Sequence, residues 1–306
     1  MISLIFPTFN EQDNLNELYE RLNTVTKNFR DHTFEFFFID DGSTDRTPEI
    51  LKALHEKDKR VKVIRFARNC GSHAALAAGL MHCRGDCAIN LSADLQDPPE
   101  LILDLVKEWG KKTSKIIWGV RTKREGESKR KRFFAKVYYF LLHWLTDVKI
   151  PPSGTDIFLA DRSVIEAYKE MTEKHTSVFM ALSWLGFPQS SIEYVRGPRH
   201  GGRSKWTLTK QWKLAIDSIL SFSDLPIRYM SILGFLTAFL GFIYCITVIW
   251  GYFHGNPVEG WSSLIVTILM ISGIQMMMLG ILGEYLWRTY DESRKRPRFV
   301  IEYKRG

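Results

Sequence analysis

The sequence has few of the features of a secreted, disulfide-stabilised or zinc-binding protein. Only four of its 306 residues are cysteines, and no two of them have the C-x-x-C spacing of a zinc site. We therefore expect free thiols in a reducing compartment. Met1 leads directly into a short apolar run, without the basic stretch and longer apolar core of a signal peptide. The N-terminal domain is expected to remain in the cytoplasm.

Two common nucleotide-binding signatures are also missing. No G-x-G-x-x-G follows the first strand-like stretch, which argues against a dinucleotide-binding Rossmann domain, and the P-loop motif does not occur. Acidic residues are the minority: 34 stand against 42 lysines and arginines, a formal net charge of +8. This balance favours an anionic partner, whether nucleic acid, anionic lipid or phosphorylated substrate, without choosing among them.

Charged residues are absent from two long stretches near the C-terminus. Residues 229–253 and 261–283 contain none, and about 20 apolar residues are enough to cross a bilayer as a helix. The alternative is two buried helices of a soluble core, but a chain of this size leaves little protein to cover them. The seven residues between the stretches include two glycines and a proline, so we predict a transmembrane hairpin.

Basic residues orient this hairpin. The turn has no lysine or arginine, whereas seven follow the second stretch, and positive charge beside membrane helices stays on the cytoplasmic side. Residues 133–145 and 206–222 mix aromatic and apolar side chains with nearby basic ones. Each is expected to lie flat on the lipid headgroups, the alternative being an amphipathic helix packed on the domain.

Residues 1–125 alternate strand-like and helix-like stretches. Strands are predicted at 3–7, 33–39, 61–66, 87–91 and 115–120, and helices at 14–29, 47–57, 72–82 and 98–109. This alternation predicts an α/β fold with a Rossmann-like, mostly parallel sheet and helices on both faces. Ligands of such sheets bind at the carboxyl ends of the strands. The polar runs PTFNE, DDGSTD and SADLQD stand at those ends.

Each polar run also has a plain structural explanation. Asp40 and Asp41 are suited to capping the turn before the next helix. Asp94 and Gln96 are equally acceptable as loop residues ahead of a helix that begins near two prolines, and the basic residues 124–132 as a solvated loop. Taken one at a time, these motifs leave the function open.

Taken in order, PTFNE, DDGSTD, SADLQDPPE and GTDIFLADR resemble family 2 glycosyltransferases of the GT-A fold. With the C-terminal hairpin, the likeness is closer to the polyprenyl-phosphate group, the dolichyl-phosphate mannose synthases and bactoprenol glucosyltransferases. It covers residues 1 to about 290. It implies a nucleotide-sugar-binding core at 1–125, acceptor-side and interfacial helices at 126–228, the hairpin at 229–287 and a basic cytoplasmic tail at 288–306.

The resemblance also implies roles for single residues. Those expected at the donor nucleotide are Pro7, Phe9, Glu11, Asp40, Asp41, Asp94 and Gln96. Asp94 and Gln96 would hold a divalent metal, Mg²⁺ or Mn²⁺, and Asp94 and Asp156 would be catalytic, with Asp156 beside the reacting sugar. Those expected at the acceptor phosphate and the diphosphate are Arg121, Lys131, Arg132, Arg203, Ser204 and Lys205, the last three in the loop HGGRSKW.

One position departs from the family pattern. The acidic motif, usually Asp-Ala-Asp, here reads Ser92-Ala93-Asp94. A hydroxyl replaces a carboxylate, which removes one negative charge from the expected metal site. The metal would then depend on Asp94, Gln96 and the diphosphate itself, as Mg²⁺ sites on substrate phosphates often do.

The resemblance implies inverting transfer of a sugar from a UDP-sugar to polyprenyl (undecaprenyl) phosphate, on the cytoplasmic face of a bacterial inner membrane. Glucose is favoured, with N-acetylhexosamine, galactose, mannose and an aminoarabinose derivative as alternatives. Expected partners are the UDP-sugar, the lipid, the membrane and further copies of the chain, with a tetramer as one candidate, but not nucleic acid.

Two other functional classes compete with this interpretation. A processive polysaccharide synthase would need more spans and a Q-x-x-R-W motif, neither of which the sequence contains. A non-catalytic membrane scaffold that retained a nucleotide pocket is favoured only by Ser92.

Overall fold

The computed structural model describes residues 1–121, 155–171, 173, 176–195, 197, 225–254 and 260–306. The chain forms two compact units: an α/β unit of Met1–Ser218 with Pro297–Gly306, and a helical unit of Ile219–Arg296. The stretches 133–145 and 206–222, predicted to be interfacial, lie outside the described residues.

An eight-stranded sheet forms the centre of the α/β unit, with the strand order β7-β5-β6-β4-β1-β2-β3-β8. The strands are β1 (Ile2–Thr8), β2 (Phe34–Asp40), β3 (Val61–Phe66), β4 (Cys87–Asn90), β5 (Ile116–Arg121), β6 (Thr155–Asp161), β7 (Gln189–Tyr194) and β8 (Ile301–Arg305). β6 runs antiparallel between β4 and β5, and β8 antiparallel to β3, whereas the other pairings are parallel. The predicted mostly parallel sheet is confirmed.

Helices cover both faces of this sheet. They are α1 (Leu15–Thr26), α2 (Thr47–Lys57), α3 (Ser72–His82), α4 (Leu101–Gly110), α5 (Arg162–Lys169) and α6 (Val178–Trp184). Leu4 and Phe6 of β1 share a core with buried residues of α1, α2 and α4. Successive strand side chains point to opposite faces, and Ile5 meets α3, whose Gly79 leaves no room for a Cβ beside it.

The local sequence explains these elements. All seven residues of β2, FEFFFID, are buried, as expected for a β-rich run covered on both faces. In α1, buried Leu15, Leu18, Leu22 and Val25 form one helical stripe. All five strands and four helices predicted within 1–125 are present, with bounds within three residues. The later β6, β7 and β8 were not predicted.

The helical unit consists of two long helices. α7 (Leu225–Phe253) has 29 residues and α8 (Trp261–Ser293) has 33. Within the part of the chain that the structure describes, Ile227–Trp250 is long and apolar enough to cross a membrane, with a mean hydropathy of 2.4. A Cβ added to Gly234 of α7 would lie 3.0 Å from Met278 Cε of α8, so a small residue allows their contact. A second membrane span in α8 stays a prediction.

Candidate active site

One edge of the sheet collects the polar strand ends. Parallel β1, β2, β3, β4, β5 and β7 all end at this edge, and antiparallel β6 begins there. Two groups of side chains result. The β1–β3 cluster comprises Asn10, Asp40, Asp41, Ser43 and Arg65. The β4–β7 cluster comprises Ser92, Asp94, Asp97, Arg121, Asp156 and Tyr194.

Asp40 ends β2 with a carboxylate that is completely buried. Its Oδ1 accepts a hydrogen bond from the Ser43 backbone N–H at 2.9 Å, and its Oδ2 forms an ion pair with Arg65 Nη1 at 2.9 Å. Burial acts against the charged guanidinium, but the carboxylates of Glu302 and Asp40 outweigh it and raise the pKa of Arg65. The buried charge of Asp40 is thus compensated, which a buried carboxylate requires.

Asp41 faces the start of helix α3. Its two carboxylate oxygens accept hydrogen bonds from the Cys70 and Gly71 backbone N–H groups, at 2.6 and 2.9 Å. A negative charge before the first turn of a helix is stabilised by the helix dipole. Gly71 has a φ of 93°, and Gly42 has a φ of 70° and no room for a Cβ beside Arg68. Asp41 therefore supports the start of α3 rather than the turn before α2, and its role at the nucleotide stays a prediction.

The loop after β1 is fastened to the loop after β2. Asn10 has a φ of 54°, and residues held in this sparsely populated region tend to occur at functional sites. Its backbone N–H donates to Ser43 Oγ, and its Oδ1 accepts from the Thr44 backbone N–H, both at 2.9 Å. The predicted nucleoside-contacting residues Pro7, Phe9 and Glu11 flank Asn10 and are half-buried.

The turn after β4 carries the predicted metal-binding residues. Leu95 has a φ of 58°, and the chain turns sharply there, so that the Gln96 backbone N–H donates to Asp94 Oδ1 at 3.2 Å. Asp94 is buried and Gln96 half-buried. The Gln96 carbonyl accepts from the Gly197 backbone N–H at 2.9 Å. The turn therefore holds the Gln96 backbone against the Asp94 carboxylate, and the metal-binding role of the two residues stays a prediction.

Asp97 was not predicted as a site residue, yet it occupies the centre of the β4–β7 cluster. It is 1% exposed. Ser92 Oγ donates to its Oδ2 at 2.6 Å, and the Tyr194 hydroxyl donates to its Oδ1 at 2.7 Å. Burial and the negative charge of Asp97 raise the pKa of Tyr194, so that hydroxyl stays protonated. The run SADLQD contained Asp97, but Tyr194 belonged to no motif.

Asp156 and Arg121, predicted separately, form an ion pair. Arg121 ends β5 opposite Tyr194 of β7. Asn90 fixes the chain around Asp156, because its side-chain amide donates to the Asp156 carbonyl at 2.8 Å and accepts from the Phe158 backbone N–H at 2.6 Å. The Asp156 side chain is 53% exposed and Arg121 12%. The pair therefore presents its carboxylate to solvent and keeps its guanidinium inside.

Comparison with known proteins identifies the family. The glycosyl transferase family 2 profile matches residues 3–169. The uncharacterized glycosyltransferase YkcC of Bacillus subtilis (strain 168) is 40% identical over 305 residues, which cover 99% of this chain and 94% of the relative. The chain belongs to glycosyl transferase family 2. The bactoprenol glucosyl transferase of Shigella phage SfV is 36% identical over 302 residues, 98% of each chain.

A solved structure supports the fold of this glycosyltransferase. The crystal structure of a mycobacterial protein matches it with a TM-score of 0.50 and 19% identity, over 72% of this chain and 74% of that one. At this identity the match shows the fold alone. The GT-A fold class and the enzymatic class predicted from the sequence are confirmed, and the scaffold interpretation is set aside.

One pair of side chains in this glycosyltransferase is chemically suited to a divalent metal. Among the described residues, no group of three or more His, Cys, Asp or Glu side chains is placed to hold an ion. Asp94 and Gln96 offer a carboxylate and an amide oxygen, the hard donors that Mg²⁺ prefers, and Mg²⁺ commonly completes its shell with substrate phosphates and water. The pair therefore suits a metal that arrives with a diphosphate.

Several predicted site residues of the glycosyltransferase lie outside the described residues. They are Lys131, Arg132, Arg203, Ser204 and Lys205. Their roles at the acceptor phosphate and the diphosphate stay predictions. Of the cysteines, Cys70, Cys83 and Cys87 are free thiols in the structure.

Proposed function

We propose that this glycosyltransferase moves a hexose, with glucose favoured, from a UDP-sugar to a polyprenyl phosphate such as undecaprenyl phosphate, with inversion at the anomeric carbon. The observation that carries the proposal is the 36% identity with the bactoprenol glucosyl transferase of phage SfV over 98% of both chains. That span includes both the strand edge and the apolar helix Ile227–Trp250. A transferase for a lipid acceptor needs both parts.

The β1–β3 cluster is proposed to receive the uridine. Pro7, Phe9 and Glu11 line the nucleoside pocket, with Phe9 against the base. The hydrogen bonds of Asn10 to the β2 loop and the Asp40–Arg65 ion pair hold this region in one conformation before the donor binds. Groups fixed in advance lose less conformational freedom on binding.

The β4–β7 cluster is proposed to carry out the transfer. Asp94 and Gln96 would hold the divalent metal, and that metal supplies positive charge to the departing diphosphate. The acceptor is a phosphate monoester with a second pKa of about 6, so it is largely dianionic at neutral pH and hardly needs a general base. An ion-paired carboxylate is also a weaker proton acceptor than a free one. Asp156 therefore orients the sugar or stabilises its developing positive charge.

Electrostatics explains the demand for basic residues. A dianionic acceptor must approach an anionic diphosphate, and cationic side chains reduce their repulsion. Arg121 is placed for this at the β4–β7 cluster, and its Nε is buried without a hydrogen-bond partner among the described residues. Lys131, Arg132, Arg203 and Lys205 are proposed to assist.

The membrane arrangement belongs to the same proposal. Ile227–Trp250 is the first span of a hairpin whose two ends face the cytoplasm, which places the α/β unit on the side where nucleotide sugars are made. The close approach of α7 and α8 at Gly234 suits packing through small residues, and further copies of the chain would extend it.

The test is sugar transfer in detergent from radiolabelled UDP-glucose to undecaprenyl phosphate, with Mg²⁺, Mn²⁺ or EDTA. Metal-dependent label in the lipid phase, abolished by Asp94→Ala and retained by the exposed control Asp104→Asn, supports the proposal. Donor binding without lipid label indicates another sugar or acceptor. Neither transfer nor binding across a panel of nucleotide sugars refutes it, and a nearly full rate in Asp156→Asn refutes the role of Asp156.

A further inference from the structure

The last ten residues of the chain belong to the α/β unit. β8 pairs with β3 as the outermost strand of the sheet, and the Ala67 backbone N–H donates to the Val300 carbonyl at 2.9 Å. Phe299 stacks on buried Phe66, with ring centroids 4.8 Å apart. Arg298 donates from Nη2 to the Thr176 carbonyl at 2.7 Å. The segment is therefore attached along its length rather than hanging free as a tail.

An irregularity in this pairing directs one side chain toward the site. Tyr303 lies opposite Arg65 and Ile301 opposite Phe66, so Glu302 is the extra residue of a register shift. Bulges of this kind re-aim a side chain. Glu302 Oε2 accepts from Arg65 Nε at 2.7 Å, in the side-on direction that a planar guanidinium offers a carboxylate.

Arg65 makes contacts in three directions. Its Nε donates to Glu302, its Nη1 to Asp40 Oδ2 at 2.9 Å, and its Nη2 to the Ser43 carbonyl at 3.2 Å. Because the guanidinium is a rigid plane, fixing the Nε side also fixes the direction of both terminal nitrogens. Ser43 Oγ in turn accepts from Asn10. A chain of polar contacts thus runs from the C-terminal strand to the loop after β1.

We propose that Glu302 is a positioning residue for the donor nucleotide: it orients Arg65, which holds Asp40 and the Ser43 loop in the conformation that receives the nucleotide. The inference rests on the proposed binding of uridine at the β1–β3 cluster. It makes the strand that follows the apolar helices part of the donor site. Glu302 itself touches Arg65 and acts through it.

The test compares Glu302→Gln with Lys304→Gln in the full chain in detergent. Lys304 is exposed two residues further along the same strand, which makes it a matched control. Glu302→Gln should raise the donor KM and the dissociation constant of UDP about three- to fivefold, the effect of a partly exposed ion pair, and leave kcat within twofold. Lys304→Gln should change neither constant.

A second background separates positioning from general stability. In Arg65→Met, or in Arg65→Lys if the first variant does not fold, Glu302→Gln should add no further increase in donor KM, because its target is gone. The inference is overturned if Glu302→Gln and Lys304→Gln have the same donor KM and UDP dissociation constant. It is also overturned if Glu302→Gln raises the donor KM as much in the Arg65 variant as in the unmodified chain. If the unmodified chain neither binds UDP nor transfers sugar, that result refutes the proposed function rather than the contact between Glu302 and Arg65.

Discussion

Replacing Asp41 by Asn distinguishes a structural carboxylate from a nucleotide ligand. The structure places both Asp41 oxygens on backbone N–H groups before helix α3, at 2.6 and 2.9 Å, and the residue is 4% exposed. An asparagine of the same shape retains one acceptor oxygen but turns an NH₂ group toward the other N–H. The substitution therefore removes one charge-assisted bond and the negative charge at the helix start.

The magnitude follows from these two losses. A hydrogen bond to a charged group contributes about 1.5–3 kcal/mol, and a charge at a helix N-terminus about 0.3–1 kcal/mol. Asp41→Asn should therefore lower the free energy of unfolding by about 2–4 kcal/mol. In a unit of this size each kcal/mol shifts the melting temperature by about 2–4 °C, so the expected decrease is about 5–15 °C.

Thermal unfolding followed by tryptophan fluorescence measures this shift, with Asp104→Asn on the exposed side of α4 as the matched control. UDP affinity, measured by calorimetry well below the melting temperature, should change less than about threefold, since this carboxylate is already occupied by the α3 backbone. If Asp41→Asn has the same melting temperature as the unmodified chain but no longer binds UDP, the reasoning is refuted and Asp41 is a nucleotide ligand.

Three further predictions concern β4, β6 and the loop after β4; Asp161 ends β6 at the edge opposite the candidate site, whereas the other two concern residues of that site. Burial opposes ionisation of Asp161, but hydrogen bonds from neighbouring donors hold its pKa at about 2. The folded state gains about 2 kcal/mol from this lowered pKa above pH 4 and loses it as the pH falls toward 2. Between pH 6 and pH 3, the melting temperature of Asp161→Asn should therefore fall less steeply than that of the unmodified chain. Ser92→Asp sets a second carboxylate beside buried Asp97 and should lower both the melting temperature and the transfer rate. Adding Asp97→Asn to this variant should restore both. A Ser92→Asp variant that is stable and active would contradict this. Asn90→Ala removes the side-chain hydrogen bond to the Asp156 carbonyl and should lower kcat about tenfold in steady-state assays with donor KM unchanged. A change in KM alone counts against it.

Local signals made most of the α/β core predictable. The continuous phenylalanine-rich run of β2 and the helical stripe of buried residues in α1 are both strong local patterns, and the bounds of each element follow from them. β7 and β8 gave a weaker signal because they are short edge strands, of six and five residues, that bury few apolar side chains. β8 also follows the apolar helices in a basic segment, which suggested a tail. Its place in the sheet depends on pairing with β3, more than 200 residues earlier, and no local pattern records such a contact.

The candidate site was predictable in position but not in its internal contacts. The strand-end rule located Asp40 and Asp94 because it needs only the alternation of strands and helices, whereas Asp156 was predicted from the family resemblance of GTDIFLADR. The partners of each carboxylate depend on distant parts of the chain. Tyr194 reaches Asp97 across 97 residues of sequence, and the pairing of Arg121 with Asp156 requires β6 to run antiparallel beside β5.

The contact between Ser92 and Asp97 changes what the altered acidic motif means. From the sequence, Ser92 in place of an aspartate removes one negative charge near Asp94. In the structure, the Asp97 carboxylate lies 2.6 Å from Ser92 Oγ, so a negative charge remains one hydrogen bond from that position. Because Asp97 is buried and engaged by two hydroxyl donors, it acts through its field, which water screens only weakly in the interior. In the proposed site, direct coordination of a bound cation would depend on Asp94, so Asp94→Ala should abolish transfer while Ser92 is tolerated.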